Sequence, residues 1–332
     1  MKKNLHILAL ATTVFLSGNT LAENKEVVIA YQDMVVPWRY AQETHNLEQK
    51  TGYKVTFRKL ASGADVIRAL ASGSVQIGEA GSAPIASGLS QGLNIQLFWI
   101  LDNINDAEAL VVRNGSNVKT LADLNGKRIA VPFVSTSHFH TLLALEHAKV
   151  DAHGVKIINL RPPEIAAAWE RGDIDATFIW DPVLAKVKKT GKTLISSGEI
   201  AKQTGTATFD GIVVNKDFAK QNDAFLTELV KLLAATDADY RNNKANWKTD
   251  SAQIKAVAKW AGAEAAEVPA SLALYEFPTL QQQASAQWLG GGAAKSLAAT
   301  AAFLKTQGTI QNVLPDYSAG VNATWVRKAA VQ

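Results

Sequence analysis

From residue 27 onward, short apolar runs alternate with longer amphipathic stretches, a pattern that predicts strand and helix in turn. Residues 27–31, Val27-Val28-Ile29-Ala30-Tyr31, make an unbroken run of strand length, and Pro37 opens an amphipathic stretch that predicts one helix to about Lys50. A second strand is predicted over 54–60 and a helix over 64–72 ended by Gly73. A third strand over 75–78 follows, with another helix after Gly81-Ser82-Ala83-Pro84. The pattern restarts after 109–113. A strand over 129–131 leads to Ser135-Thr136-Ser137, which opens a helix to about Ala148. Strands over 155–160 and 174–179, with helices over 163–171 and after Pro182, complete a second unit.

Repeated strand and helix units predict an α/β fold with largely parallel sheets. The expected division is two α/β lobes, 23–112 with 215–332 and 113–214, joined by crossing segments near 109–113 and 210–215. Residues after 217 are rich in alanine and helix formers and are expected to pack as helices around the first lobe. A cleft between two lobes is the default place for a ligand.

The N-terminus changes the picture of where the chain resides. Met1-Lys2-Lys3, an apolar stretch over 7–16 and Thr20-Leu21-Ala22 have the order of a secretory signal peptide, with cleavage expected after Ala22. The stretch is well short of the ~20 residues that span a bilayer. With no cysteine in 332 residues, a lipid anchor on a new N-terminal cysteine is excluded, as are disulfides, thiolate metal sites and cysteine nucleophiles. A periplasmic location follows as the expectation. The formal charge of +4, with both leader lysines included, and the scattered basic residues argue against nucleic acid as a partner. His138 and His140 are two apart and fall on different helix faces, so no shared metal site is expected.

Several stretches carry a resemblance. Ser62-Gly63-Ala64 with Ile67-Arg68-Ala69-Leu70-Ala71-Ser72-Gly73, Gly126-Lys127-Arg128-Ile129-Ala130-Val131-Pro132, and Ala167-Ala168-Trp169-Glu170-Arg171-Gly172-Asp173 resemble the periplasmic binding proteins of aliphatic sulfonate ABC importers. Ala30-Tyr31-Gln32, Glu108-Ala109-Leu110, Val134-Ser135-Thr136-Ser137-His138, Ile179-Trp180-Asp181-Pro182 and Thr208-Phe209-Asp210 are similar to members of that family whose ligand is taurine. Trp38, and the added carboxylates Glu79 and Asp181, depart from the family's pattern. The resemblance implies a type II periplasmic binding protein fold. It also implies a monomer that hands taurine or a similar small sulfonate to a membrane permease, with no cofactor and no catalysis.

A sulfonate is a permanent anion with three acceptor oxygens, and helix N-termini offer backbone donors and a positive dipole end. Ser82 and the trio Ser135, Thr136 and Ser137 stand at two such openings, although serine there ordinarily caps the helix. The resemblance assigns both openings to the sulfonate. An ammonium taken out of water must meet carboxylates or aromatic faces, and the resemblance assigns Glu108 and Asp210 to it. Trp180 is the candidate wall against the ethylene linker, and Gln32 ends the first strand as a further donor. Two other readings stay open at this stage: an enzyme like those of pyrimidine synthesis in thiamine metabolism, which share the fold, and the binding component of a sensor.

Overall fold

The computed structural model describes residues 25–331; the leader expected over 1–22 and its cleavage after Ala22 lie outside them. In chain order, β1 (Glu26–Tyr31), β2 (Lys54–Lys59), β3 (Ile77–Gly81) and β4 (Ile95–Asn103) come first. Five further strands follow: β5 (Glu108–Arg113), β6 (Arg128–Val131), β7 (Lys156–Asn159), β8 (Ala176–Trp180) and β9 (Gly191–Ser196). The last strand among the described residues is β10 (Phe209–Asn215).

These strands form two five-stranded sheets, ordered β2-β1-β3-β10-β4 and β7-β6-β8-β5-β9. In each sheet one strand runs against the other four: β10 is antiparallel to β3 and β4, and β5 to β8 and β9. The expected parallel arrangement thus holds except for the strand that arrives from the other lobe. Each reversed strand enters its sheet directly from the opposite lobe, so it approaches from the cleft side.

Three local expectations need correction. The stretch over 37–50 is two helices, Arg39–Glu43 and Asn46–Thr51, because His45 takes a left-handed conformation with φ 52°. Just before it, the Thr44 hydroxyl donates to the carbonyls of Tyr40 and Ala41, which a continuing helix would use for its own ladder. The residues over 109–113 form strand β5 inside the second sheet, and residues 210–215 belong to β10 in the first. Ala109, Leu110, Val111 and Val112 are all buried, which requires both faces of that sheet to be covered. The chain changes sheets at 104–107 and again over 197–208. Strand β4, whose Leu97-Phe98-Trp99-Ile100-Leu101 core is fully buried, is absent from the sequence reading above.

The larger core lies under the first sheet, where helix Asp223–Asn242 packs against helix Thr324–Val331, and Phe98 meets Trp325 edge-on at 5.6 Å. A smaller core of Leu110, Leu124, Ile129, Leu145 and Phe178 supports the second sheet. Helix Gly63–Ala71 can press close on β3 because Gly78 has no side chain: a Cβ there would overlap Val66. The outer edge of β4 is capped at its middle by one side chain. Gln283 accepts from the Ile100 backbone N–H at 2.9 Å and donates to its carbonyl at 2.6 Å.

Candidate functional site

The lobes face each other across a narrow pocket. Its wall includes Gln32, Gly81, Glu108, Ser135, Thr136, Trp180, Asp210 and Tyr275. Six of the eight side chains expected from sequence therefore line one pocket. Ser82 and Ser137 do not. Both are fully buried, and the Ser82 hydroxyl is turned toward the Phe209 backbone N–H at 3.5 Å, at the entry to β10. The Ser137 hydroxyl has no hydrogen-bond partner among the described residues.

One end of the pocket is built by a helix N-terminus. Ser135 is the N-cap of helix Thr136–His147, and its hydroxyl accepts from the His138 N–H at 3.0 Å. The residue before it, Val134, has φ 60°, a conformation a β-branched residue adopts only under constraint. This turn brings Thr136 across to the other lobe, where a Cβ placed on Gly81 would lie 2.7 Å from its methyl group and 3.2 Å from Asp210 Oδ1. A glycine is therefore required at the point where the lobes touch. Thr136 Oγ1 donates to Glu108 Oε1 at 2.5 Å, so its hydroxyl already bridges toward the other end of the pocket.

That other end is acidic. Glu108 ends β5 nearest the cleft, and burial pushes its carboxyl up to about 7, against the opposing help of hydroxyls from Thr136 and Ser197. Asp210 lies beside it on β10. Burial, then the charges of Glu108 and Glu79, hold its carboxyl well above the usual range. Behind Asp210 stands Asp102 on β4, its partner in the strand pairing, raised well above the usual range by burial and then by Asp210. Burial also raises the Tyr275 phenol, with Asp102 and Asp210 adding to the effect.

Two carboxylates set aside in the sequence reading have structural partners. Glu79 receives a bidentate ion pair from Arg39 at 2.6 and 2.7 Å, with both side chains fully buried. Arg39 also donates to Gln42 Oε1 and to the carbonyls of Met34 and Gln32, and it stacks over Tyr31 and Trp38. Trp38 thus supports that guanidinium and packs edge-on to Phe57. Asp181 Oδ1 accepts the Ala185 N–H at 2.8 Å inside the second lobe. Gln32 donates to the Glu79 carbonyl at 3.2 Å, which orients it at the pocket wall.

Polar contacts cross between the lobes. The Trp180 indole donates to Asp33 Oδ1 at 3.0 Å, which pins the ring against the pocket. Arg161 meets Asp65 at 3.5 Å at the mouth, and Gln307 donates to Glu146 at 3.0 Å farther out.

Asp102 and Tyr275 are the site residues that sequence reasoning missed. Asp102 closes an apolar run and looks like an ordinary strand end. Tyr275 sits in the helical tail and reaches the site because Glu276 and Asn103 exchange backbone hydrogen bonds at 2.8 and 3.1 Å. The pocket thus has uncharged donors at one end and buried carboxyls without a free cation at the other, an arrangement that suits a small molecule with an anionic and a cationic group.

Comparison with known proteins gives relatives of the same kind. The family model for the phosphonate periplasmic substrate-binding protein of ABC transporters matches residues 27–268. The taurine-binding periplasmic protein of Escherichia coli (strain K12) is 38% identical over 318 residues, covering 96% of this chain and 97% of that one. The putative aliphatic sulfonates-binding protein of the same strain is 27% identical over 246 residues, covering 72% of this chain and 76% of that one. Among solved structures, the alkanesulfonate-binding protein SsuA from Xanthomonas axonopodis pv. citri bound to MOPS superposes with a TM-score of 0.75 at 26% identity, covering 88% of this chain and 97% of that one.

Proposed function

The chain belongs to the periplasmic substrate-binding proteins of ABC transporters, and from that membership we propose that it captures taurine, or a closely related small aminosulfonate, and delivers it as a monomer to a membrane permease. The observation that carries the ligand is the polarity of the pocket. The sulfonate lies at the opening of helix Thr136–His147, where Ser135 adds a hydroxyl to backbone N–H groups that have no intrahelical partner, and the Thr136 hydroxyl, which otherwise donates to Glu108, turns to the sulfonate when the ammonium takes up Glu108. The Ser82 opening contributes through its backbone, since its hydroxyl faces Phe209. The ammonium lies between Asp210 and Glu108, with the Trp180 ring along the ethylene linker and Gln32 as a polar neighbour. An alkanesulfonate without the amine leaves these carboxyls without a counter-charge, which is the basis of selectivity.

Function then resides in lobe closure with no bond made or broken. The family relatives give no support to the pyrimidine-synthesis alternative. The test is a calorimetric titration of the exported chain with taurine, ethanesulfonate and β-alanine, combined with small-angle scattering. Taurine is expected to bind most tightly, to reduce the radius of gyration and to raise the melting temperature by mass action, and to be recovered unaltered. Ethanesulfonate binding as tightly as taurine, or turnover of taurine, would overturn this reading.

A further inference from the structure

Asp102 and Asp210 are direct partners across the antiparallel β4–β10 pairing. Asp102 is fully buried, and neither of its oxygens has a hydrogen-bond partner among the described residues. No cation among the described residues compensates it. The buried Arg39 guanidinium is committed to Glu79, Gln42 and the carbonyls of Met34 and Gln32. The charges that reach Asp102 are acidic: Asp210, then Asp237 on helix Asp223–Asn242, then Glu108 on β5. The Tyr275 phenol is the remaining titratable neighbour.

An ionised carboxylate in that position has lost its water and gained no counter-charge, which is costly. A protonated one needs only an acceptor for its O–H, and the Asp210 carboxyl is opposite. The two members are also unequal. Asp210 lines the pocket, whereas Asp102 is fully buried behind it with no partner for either oxygen among the described residues. The proton therefore belongs on Asp102.

We propose that Asp102 is a positioning residue for the cationic end of the ligand: it holds a proton, donates it in a hydrogen bond to Asp210, and so keeps Asp210 ionised at the pocket wall. The inference rests on the ammonium reading above, and it places a determinant of amine selectivity one layer behind the residues that touch the ligand. Asparagine at 102 preserves an N–H donor toward Asp210, and leucine removes it. Without the donor, Asp210 keeps its own proton to higher pH, where a neutral carboxyl no longer attracts an ammonium.

Two measurements test this on the full-length exported protein. In the ligand-free state, the infrared difference between wild type and Asp102→Asn should show a protonated carboxyl band that persists at pH 8. In titrations from pH 5.5 to 8.5, Asp102→Asn should bind taurine within about threefold of wild type, with an unchanged pH profile. Asp102→Leu should bind taurine roughly ten- to hundredfold more weakly, since the lost bond is to a charged group. Its low-pH limb should move upward, and ethanesulfonate should be insensitive to both substitutions. Absence of the infrared band overturns the proposal, as do equal losses in the two variants or losses shared by ethanesulfonate. Failure of wild type to bind taurine removes the ligand reading, and the infrared band still decides whether Asp102 holds the proton. Should the leucine variant fail to fold, the asparagine variant and the band decide the question.

Discussion

The two sheets are ordered alike, each with one reversed strand beside its central strand, yet they bring different chemistry to the cleft. The first places Glu79, Asp102 and Asp210 at or near its strand ends, and only Glu79 has a buried cation for itself. The second supplies a helix opening with Ser135 and Thr136, and behind it two buried histidines, His138 and His140, whose imidazoles burial pushes down to about 4. Glu108 alone crosses this division, a second-sheet carboxyl facing the acidic end. One topology thus supports two purposes in the proposed site: the helix end would bind charge with fixed dipoles and needs no ionisation, whereas the carboxyl end must keep negative charge in a place that resists it. Both regions favour the neutral form of their buried titratable groups, and they therefore respond to pH in opposite directions.

Breaking the acidic end should have the largest effect. Removing one partner of a buried ion pair costs about 3 to 5 kcal/mol, so Asp210→Asn should weaken taurine by at least two decades in a calorimetric titration. The same substitution should leave ethanesulfonate unchanged or improve it. Equal losses for both ligands would assign Asp210 to the fold instead.

The next effect concerns stability and pH. Glu108 is raised from 4.5 to about 7 on folding, so the folded state holds the proton more tightly than the unfolded state. Stability from this group is complete below pH 4.5 and is lost as pH rises toward 7. The loss corresponds to roughly 3 kcal/mol. Glu108→Gln should therefore raise the melting temperature at pH 8 and have little effect below pH 4.5. The histidines act with opposite sign: their neutral forms stabilise the fold above pH 6.5, and that stability is lost as pH falls toward 4. Thermal scans of His140→Gln against wild type across pH 4 to 8 should show the variant's deficit shrinking on the acid side.

At the helix end the expected change is smaller. Thr136→Ala removes a hydroxyl but leaves the backbone N–H groups, so taurine and ethanesulfonate should both weaken, by about 1.5 to 3 kcal/mol. A loss confined to taurine would move this residue to the amine side through its bond to Glu108. The smallest effect is expected at the mouth, where Arg161 is more than half exposed. Exposed pairs contribute about 0 to 1 kcal/mol, so Arg161→Ala should change affinity by less than about fivefold, and this change should fade with added salt.

These contrasts also explain what the sequence could reveal. The helix openings were legible because a hydroxyl residue before an amphipathic stretch is a local signal, but that signal is the same for Ser82 and Thr136. What separates them is the left-handed turn at Val134, which carries Thr136 into the cleft, and the approach of β10, which claims the Ser82 hydroxyl. Glu108 and Asp210 were legible as carboxylates that precede apolar runs. Asp102 was not, because its neighbourhood comes from strand pairing with a residue far along the chain. Tyr275 was hidden for the same reason, since a backbone bridge to Asn103 brings it from the tail. The division between lobes was misplaced by a few residues at both crossings because an apolar strand reads the same in either sheet.

The amide of Gln283 on the outer edge of β4 has a colloidal consequence. An uncovered edge strand offers a row of backbone groups to which another chain can pair, and it is a common start of aggregation. By occupying both the N–H and the carbonyl of Ile100, this side chain ends the hydrogen-bond ladder at the middle of its most apolar strand. Neighbouring bridges from Val321 to Leu97 and from Glu276 to Asn103 cover the strand on either side. Cover of this kind removes one template on which a second chain could add a strand.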